Sequence, residues 1–282
     1  WGVPMIPLLL AGPFLLTWLA LACGFRAARS DSDLTIDNAL RRSPLLVAIS
    51  LLLLLIGMAA VGMELSDRFC QFFALLVQQY STWISWLALA SLFAVISGYG
   101  LGLAISRGHK QTRSLLLAIL LVQVAQGLLC VRLYSPIGPE LGPGVTTDGG
   151  VVLQTHGSTC VAASLANVSR HFDIDLDEKE AADLLLTTVY GTGPGQVRFV
   201  LDLLGFSFTT LDPKQRSLED VSPPAILFVD HPALGRESHA VMYHAIPEGG
   251  YEIYEPLEGA IIWDQQTLDA RWHGNGIACT RR

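Results

Sequence analysis

From Pro44 to Met63 the chain runs without a charged residue, with leucine at every position from Leu51 to Leu55. About 20 apolar residues in helical form cross the hydrocarbon of a bilayer. In that medium a single segment satisfies its backbone polar groups only as a helix. This run therefore predicts a membrane-spanning helix, and it has company. Trp1–Phe25 is a first apolar run, interrupted by Pro4, Pro7 and Pro13. Its length, and the spans that follow it, argue against a signal peptide. Thr82–Ile105 is a third span, with Trp83 and Trp86 placed like an interfacial aromatic belt. Ser114–Val131 is a fourth, where Gln123 and Gln126 are expected to face other helices. The stretch Phe69–Tyr80 is mixed in character.

Charge assigns a topology. Arg26, Arg29, Arg41 and Arg42 crowd the first connection, and Arg107, Lys110 and Arg113 the third. The second has only Arg68 beside Glu64 and Asp67. Basic connections stay cytoplasmic, so both ends of the chain are expected outside. The expected setting is a bacterial cytoplasmic membrane with the C-terminal half extracytoplasmic. No chemistry is expected within the spans.

The mean hydropathy of +0.44 averages two unlike halves. After residue 134 a proline- and glycine-rich stretch, 135–150, reads as a linker. Residues 151–282 then have the patterned core of a soluble domain. The expected organisation is a membrane domain at 1–134, a linker at 135–150 and a soluble domain at 151–282. The net charge of -7 and the absence of a basic patch exclude nucleic acid as a partner. The five cysteines form no CxxC pair and no zinc spacing, so neither a disulfide scaffold nor a metal site is expected. No cofactor-binding motif is present: Gly191–Gly195 lacks the Gly-Lys-Ser/Thr of a phosphate loop. Asp173, Asp175, Asp177 and Glu178 lack the glycine and terminal glutamate of a calcium loop.

The soluble half is organised around Gln154-Thr-His-Gly-Ser-Thr-Cys160 and the apolar run that follows. Val161, Leu165, Val168 and Phe172 fall on one helical face, and Ser158 or Thr159 is placed to cap that helix. Cys160 would then sit at a helix N-terminus, where the dipole and free N–H groups favour a thiolate. Gln154, six positions upstream, can offer a side-chain N–H to an oxyanion. Downstream, Asp177-Glu-Lys-Glu180 is a capping box opening a helix to about Tyr190, and Pro194 starts another that ends at Gly205. Phe206–Leu211, Ala225–Val229, Ser238–Ile246, Tyr251–Tyr254 and Ala260–Trp263 read as strands, with Gly249-Gly250 as a hairpin turn. The expected architecture is thus a helical transmembrane bundle plus an α+β domain.

Alternation puts His239, Val241 and Tyr243 on one face and Met242 and His244 on the other. Glu255 ends the next strand and can lie beside the start of the His239 strand. A cysteine on a helix N-terminus, a histidine on a strand and a carboxylate on its neighbour form a papain-like set. Cys160 is the expected nucleophile, His239 the base and proton donor, Glu255 the group that orients it, and Gln154 the oxyanion donor. His156 is expected to be a loop residue, and His171, His231, His244 and His273 structural or exposed.

These residues resemble the bacteriocin-processing cysteine peptidases, the papain-like domain that fronts many peptide-exporting ABC transporters. The resemblance is carried by the Gln154-x5-Cys160 spacing, Leu203-Leu-Gly-Phe206, Pro224-Ala-Ile-Leu227, Ser238-His239-Ala-Val241, Glu255-Pro256 with Gly259, and Arg271-Trp272-His-Gly274. It covers 151–282 and none of the first half. It implies a thiol peptidase with the same four site residues, and a precursor cut after a double-glycine leader as the usual substrate. Thr159 and Val161 stand where the family usually has an acid and a glycine, and Glu255 where it usually has aspartate. No nucleotide-binding motif follows. The expected activity is a membrane-anchored cysteine peptidase acting on a peptide or protein near the bilayer, with the bilayer or an export system as partner. A non-cleaving peptide-binding module and an acyl or peptidyl transferase are the alternatives.

Overall fold

The computed structural model describes residues 5–30, 44–65, 81–106, single positions between 114 and 125, 135–211, 217–233, 235–247 and 250–282. The chain divides into two compact units. Among the described residues, the first holds three long helices, α1 (Met5–Ser30), α2 (Pro44–Leu65) and α3 (Ser81–Ser106). α1 and α3 approach closely because glycine lets them. A Cβ on Gly98 would lie 2.0 Å from the Leu21 carbonyl oxygen, and one on Gly24 2.1 Å from that of Val95. Small residues at such crossings let backbones pack without side chains between them. Ala28, Ala60 and Ala94 are fully buried.

Among the described residues, Leu87–Ser106 is long and apolar enough to cross a membrane, and Val47–Gly62 is a shorter apolar helix. Most of the expected span Ser114–Val131, including Gln123, lies outside the described residues, as do Gln126, the 69–80 stretch, Arg41, Arg42, Arg107, Lys110 and Arg113. Gly249, half of the expected hairpin turn, does too.

The second unit is α+β. After β1 (Val145–Thr146) and β2 (Val152–Leu153) come α4 (Cys160–His171), α5 (Glu178–Leu185) and α6 (Pro194–Leu203). Then follow β3 (Phe206–Thr210), β4 (Ala225–His231), β5 (Gly235–Ala245), β6 (Tyr251–Glu255), β7 (Gly259–Trp263), helix α7 (Gln265–Arg271) and β8 (Trp272–Arg281). β3 to β8 form one antiparallel sheet in the order β3-β8-β4-β5-β6-β7.

Alternation sorts the core. Ala225, Leu227, Val241, Tyr243 and Ile253 join one apolar cluster with Leu268 and Trp272. Ile226, Ala240 and Met242 join the other, against the buried residues of α4, α5 and α6. α4 is buried along almost its whole length, from Cys160 to Ser169. The Ser164 hydroxyl donates to the Ala240 carbonyl at 3.2 Å, fastening this helix to β5.

Several expectations change in detail. The 135–150 stretch is laid against the second unit rather than running free. Ile137 is buried, its N–H donates to Thr187, and Lys179 donates to the Gly138 carbonyl at 2.7 Å. The capping box at Asp177 and Glu180 forms, but α5 stops at Leu185, five residues short of Tyr190. Leu186 there turns left-handed (φ 51°) and Gln196 of α6 donates to the Leu185 carbonyl at 2.7 Å. α7 and β8 are additional to the elements expected from the sequence.

Candidate active site

Thr159 occupies the N-cap of α4, but its side chain makes no capping bond. Its hydroxyl turns instead to the His156 carbonyl (2.8 Å) and to Glu178 Oε1 (2.5 Å). The loop before Cys160 is folded onto that same carbonyl. The Thr159 N–H reaches it at 3.2 Å and Gln154 Nε2 at 3.1 Å. The His156 ring binds within this loop, with Nδ1 2.8 Å from Ser158 Oγ.

Cys160 is the first residue of α4 and is nearly buried, at 9% exposure. His239, on β5, is 6% exposed, and Glu255, the last residue of β6, is 3% exposed. The pairing register sets Tyr243 opposite Ile253 and Met242 opposite Tyr254. Continued, it carries Glu255 opposite Val241, one diagonal step from His239, within reach of long side chains. His239 Nε2 and Glu255 Oε1 are hydrogen-bonded there. The other carboxylate oxygen accepts the Leu257 N–H at 2.8 Å, which fixes its orientation. Nε2 is committed to Glu255, and Cys160 is near enough to act on the charge of the ring.

The electrostatics of the ring follow. Burial alone would push the His239 imidazole down. The hydrogen bonds to Cys160 and Glu255 and the charges of those two groups outweigh it, and its pKa is pushed up to about 9. Hydrogen bonding and charge thus favour the protonated ring beside the sulfur.

Gln154 is tied to the same end of the sheet, since its N–H donates to the Pro256 carbonyl at 2.9 Å. One side-chain N–H is held by His156 and a second remains on the amide. The four residues expected from the sequence therefore sit on one connected set of contacts. His244 goes elsewhere. It stacks on Tyr254 with ring centroids 4.4 Å apart and meets His171 edge-on. His273 pairs with Asp230 at 2.9 Å.

Two neighbours were not anticipated. The His231 ring lies 5.4 Å from that of His239. Glu178, fully buried, receives the Thr155 N–H (2.6 Å) and the Thr155 hydroxyl (2.7 Å) as well as Thr159. Its signal was available in helical spacing: Ala181, Ala182 and Leu185 lie three, four and seven positions on, all on the buried face. A glutamate on the apolar side of an amphipathic helix needs a polar partner.

A helix-borne cysteine beside a strand histidine that is held by a carboxylate, on an α+β scaffold, is the arrangement of a papain-like cysteine peptidase. Residues 149–282 match the model of the Peptidase C39 family, and this part of the chain is a cysteine peptidase domain. No curated protein matches the chain significantly. Among solved structures, it is similar to a double-glycine-motif protease from an AMS/PCAT transporter, solved in complex with the leader peptide. The two share 17% identity over 50% of this chain and 100% of that one, with a TM-score of 0.42. It is also similar to the peptidase domain of Streptococcus ComA, a bifunctional ABC transporter involved in a quorum-sensing pathway. That match has 19% identity over 46% of this chain and 96% of that one, with a TM-score of 0.41.

Proposed function

We propose that this chain hydrolyses a peptide or protein segment through Cys160, with His239, Glu255 and Gln154 as its partners. The observation that carries the reading is the position of His239, hydrogen-bonded to Glu255 and near enough to Cys160 for that residue to act on the charge of the ring. The Cys160 thiolate attacks the scissile carbonyl, forming a C–S bond and a tetrahedral oxyanion. The Gln154 amide N–H and the N–H groups at the start of α4 supply the charge stabilisation, and one such donor is typically worth about 3 kcal/mol. The C–N bond breaks as the His239 imidazolium gives its proton to the leaving amine. Water then attacks the thioester, His239 takes a proton from it, and the C–S bond breaks. Glu255 holds the ring and stabilises its positive charge throughout.

The first half, on this reading, is a bundle of about four membrane-spanning helices that anchors the domain on the outer side of a bacterial cytoplasmic membrane. Large apolar side chains exposed on three helices support it. Leu19 is 61% exposed, Leu55 62% and Ile96 60%. Water-facing surfaces rarely carry apolar patches on that scale. Anchoring raises the effective concentration of a membrane-bound or emerging substrate, and an export system fits as a supplier.

The test is alkylation of the full chain. Iodoacetamide should label Cys160 rapidly, and His239→Ala should slow that labelling at neutral pH. Equal labelling rates with and without His239 would remove the base from the mechanism. On intact cells an impermeant maleimide should reach Cys160, and labelling only after the cells are opened would reverse the topology.

A further inference from the structure

Glu178 is a carboxylate with no solvent exposure, and three donors converge on its two oxygens. The Thr155 N–H and Thr159 hydroxyl reach Oε1, and the Thr155 hydroxyl reaches Oε2. Thr155 follows Gln154, and Thr159 precedes Cys160. One side chain thus grips both ends of the segment between the oxyanion donor and the nucleophile. Burying a carboxylate is costly unless hydrogen bonds replace its hydration, and an apolar residue would fill the same helical face at no such cost.

We propose that Glu178 is a positioning residue of the active site: by clamping Thr155 and Thr159 it sets the placement of the Gln154 amide relative to the Cys160 sulfur. This rests on the peptidase reading above. Cys160 has a second anchor, because α4 is packed along its length and fastened to β5 through Ser164. Gln154 depends on the loop, on its bond to Pro256 and on the His156 carbonyl. Loosening the clamp therefore disturbs the oxyanion donor more than the sulfur–imidazole pair.

Two probes separate these effects in the full chain in detergent. With p-nitrophenyl acetate the Cys160 sulfur attacks the ester carbonyl, a C–S bond forms, the C–O bond breaks and p-nitrophenolate leaves. That path passes through an oxyanion. With iodoacetamide the sulfur displaces iodide from carbon, and no oxyanion forms. Glu178→Gln keeps the size but replaces one acceptor with an amide nitrogen. It should slow acylation about tenfold or more while alkylation of Cys160 stays within about threefold. Thr155→Val removes one bond to the clamp and should act in the same direction, more weakly; if Glu178→Gln fails to fold, this variant decides alone. In a Gln154→Ala background, Glu178→Gln should add little further loss, because both act on one donor. Unchanged acylation, or an equal fall in both reactions, overturns the proposal. A wild-type Cys160 no more reactive than an ordinary thiol towards either probe sinks the peptidase reading itself and the clamp with it.

Discussion

His239 Nε2 and Glu255 Oε1 are hydrogen-bonded between neighbouring strands, with both side chains almost withdrawn from solvent. A carboxylate in that position stabilises the charged ring, so removing its charge should lower the pKa from about 9 towards the ordinary value of 6.5. Glu255→Gln should therefore move the basic limb of the rate profile to lower pH and reduce kcat/KM by on the order of 10². The pH dependence of acylation by p-nitrophenyl acetate checks this. A limb that stays in place would show that Glu255 does not set the charge of the ring.

The same shift has a stability consequence of definite sign. A histidine whose pKa is higher folded than unfolded favours the folded state while it is protonated. That stabilisation is complete below about 6.5 and is lost as pH rises through about 9. The melting temperature should decline across this window, and His239→Ala should flatten the decline. Thermal unfolding at pH values on either side of the window measures it.

The two thiols of the peptidase domain should differ sharply. Cys279 is free and buried within β8, and burial pushes its pKa up to about 12. Cys160 has an imidazole beside it. Mass mapping after brief iodoacetamide treatment should find Cys160 modified and Cys279 untouched until the domain is denatured. Cys160→Ser should abolish turnover with little change in melting temperature, since it replaces one atom with another of similar size.

In the helical unit, Gly98→Ala and Gly100→Ala make an informative pair. Both raise helix propensity equally. A Cβ at Gly98 collides with the Leu21 carbonyl, whereas one at Gly100 meets nothing within 4 Å. Gly98→Ala should destabilise the α1–α3 pair by about 1–3 kcal/mol, and Gly100→Ala should be neutral or mildly stabilising. Titration of the detergent-solubilised protein with sodium dodecyl sulfate distinguishes them.

Much of the peptidase domain was legible because its signals are local. The apolar stripe from Val161 to Val168, the box at Asp177 and Glu180, and the alternation around His239 each need only a short window. β8 was missed because Gly274 and Gly276 look like turn residues. Gly276 is small for a different reason, since a Cβ there would lie 2.7 Å from the Ile226 carbonyl on the adjacent strand. α7 spans only seven residues, too few for a periodic pattern to stand out. The strand order depends on partners far apart in sequence, which no local pattern encodes. The proposed site residues Cys160, His239, Glu255 and Gln154 are suggested in the sequence by residue type and spacing. Glu178 lies within a capping-box stretch, which ordinarily faces water, whereas tertiary packing puts it on the buried side of α5.

β8 lies between β3 and β4, although forty residues separate β4 from it along the chain. During synthesis, β4 to β7 can pair as soon as they leave the ribosome, but β3 has no neighbour until the last strand arrives. The sheet is therefore complete only once β8 has joined β3 to β4. Until β8 is in place, the edges of β3 and β4 that it covers stay open to pairing with other strands.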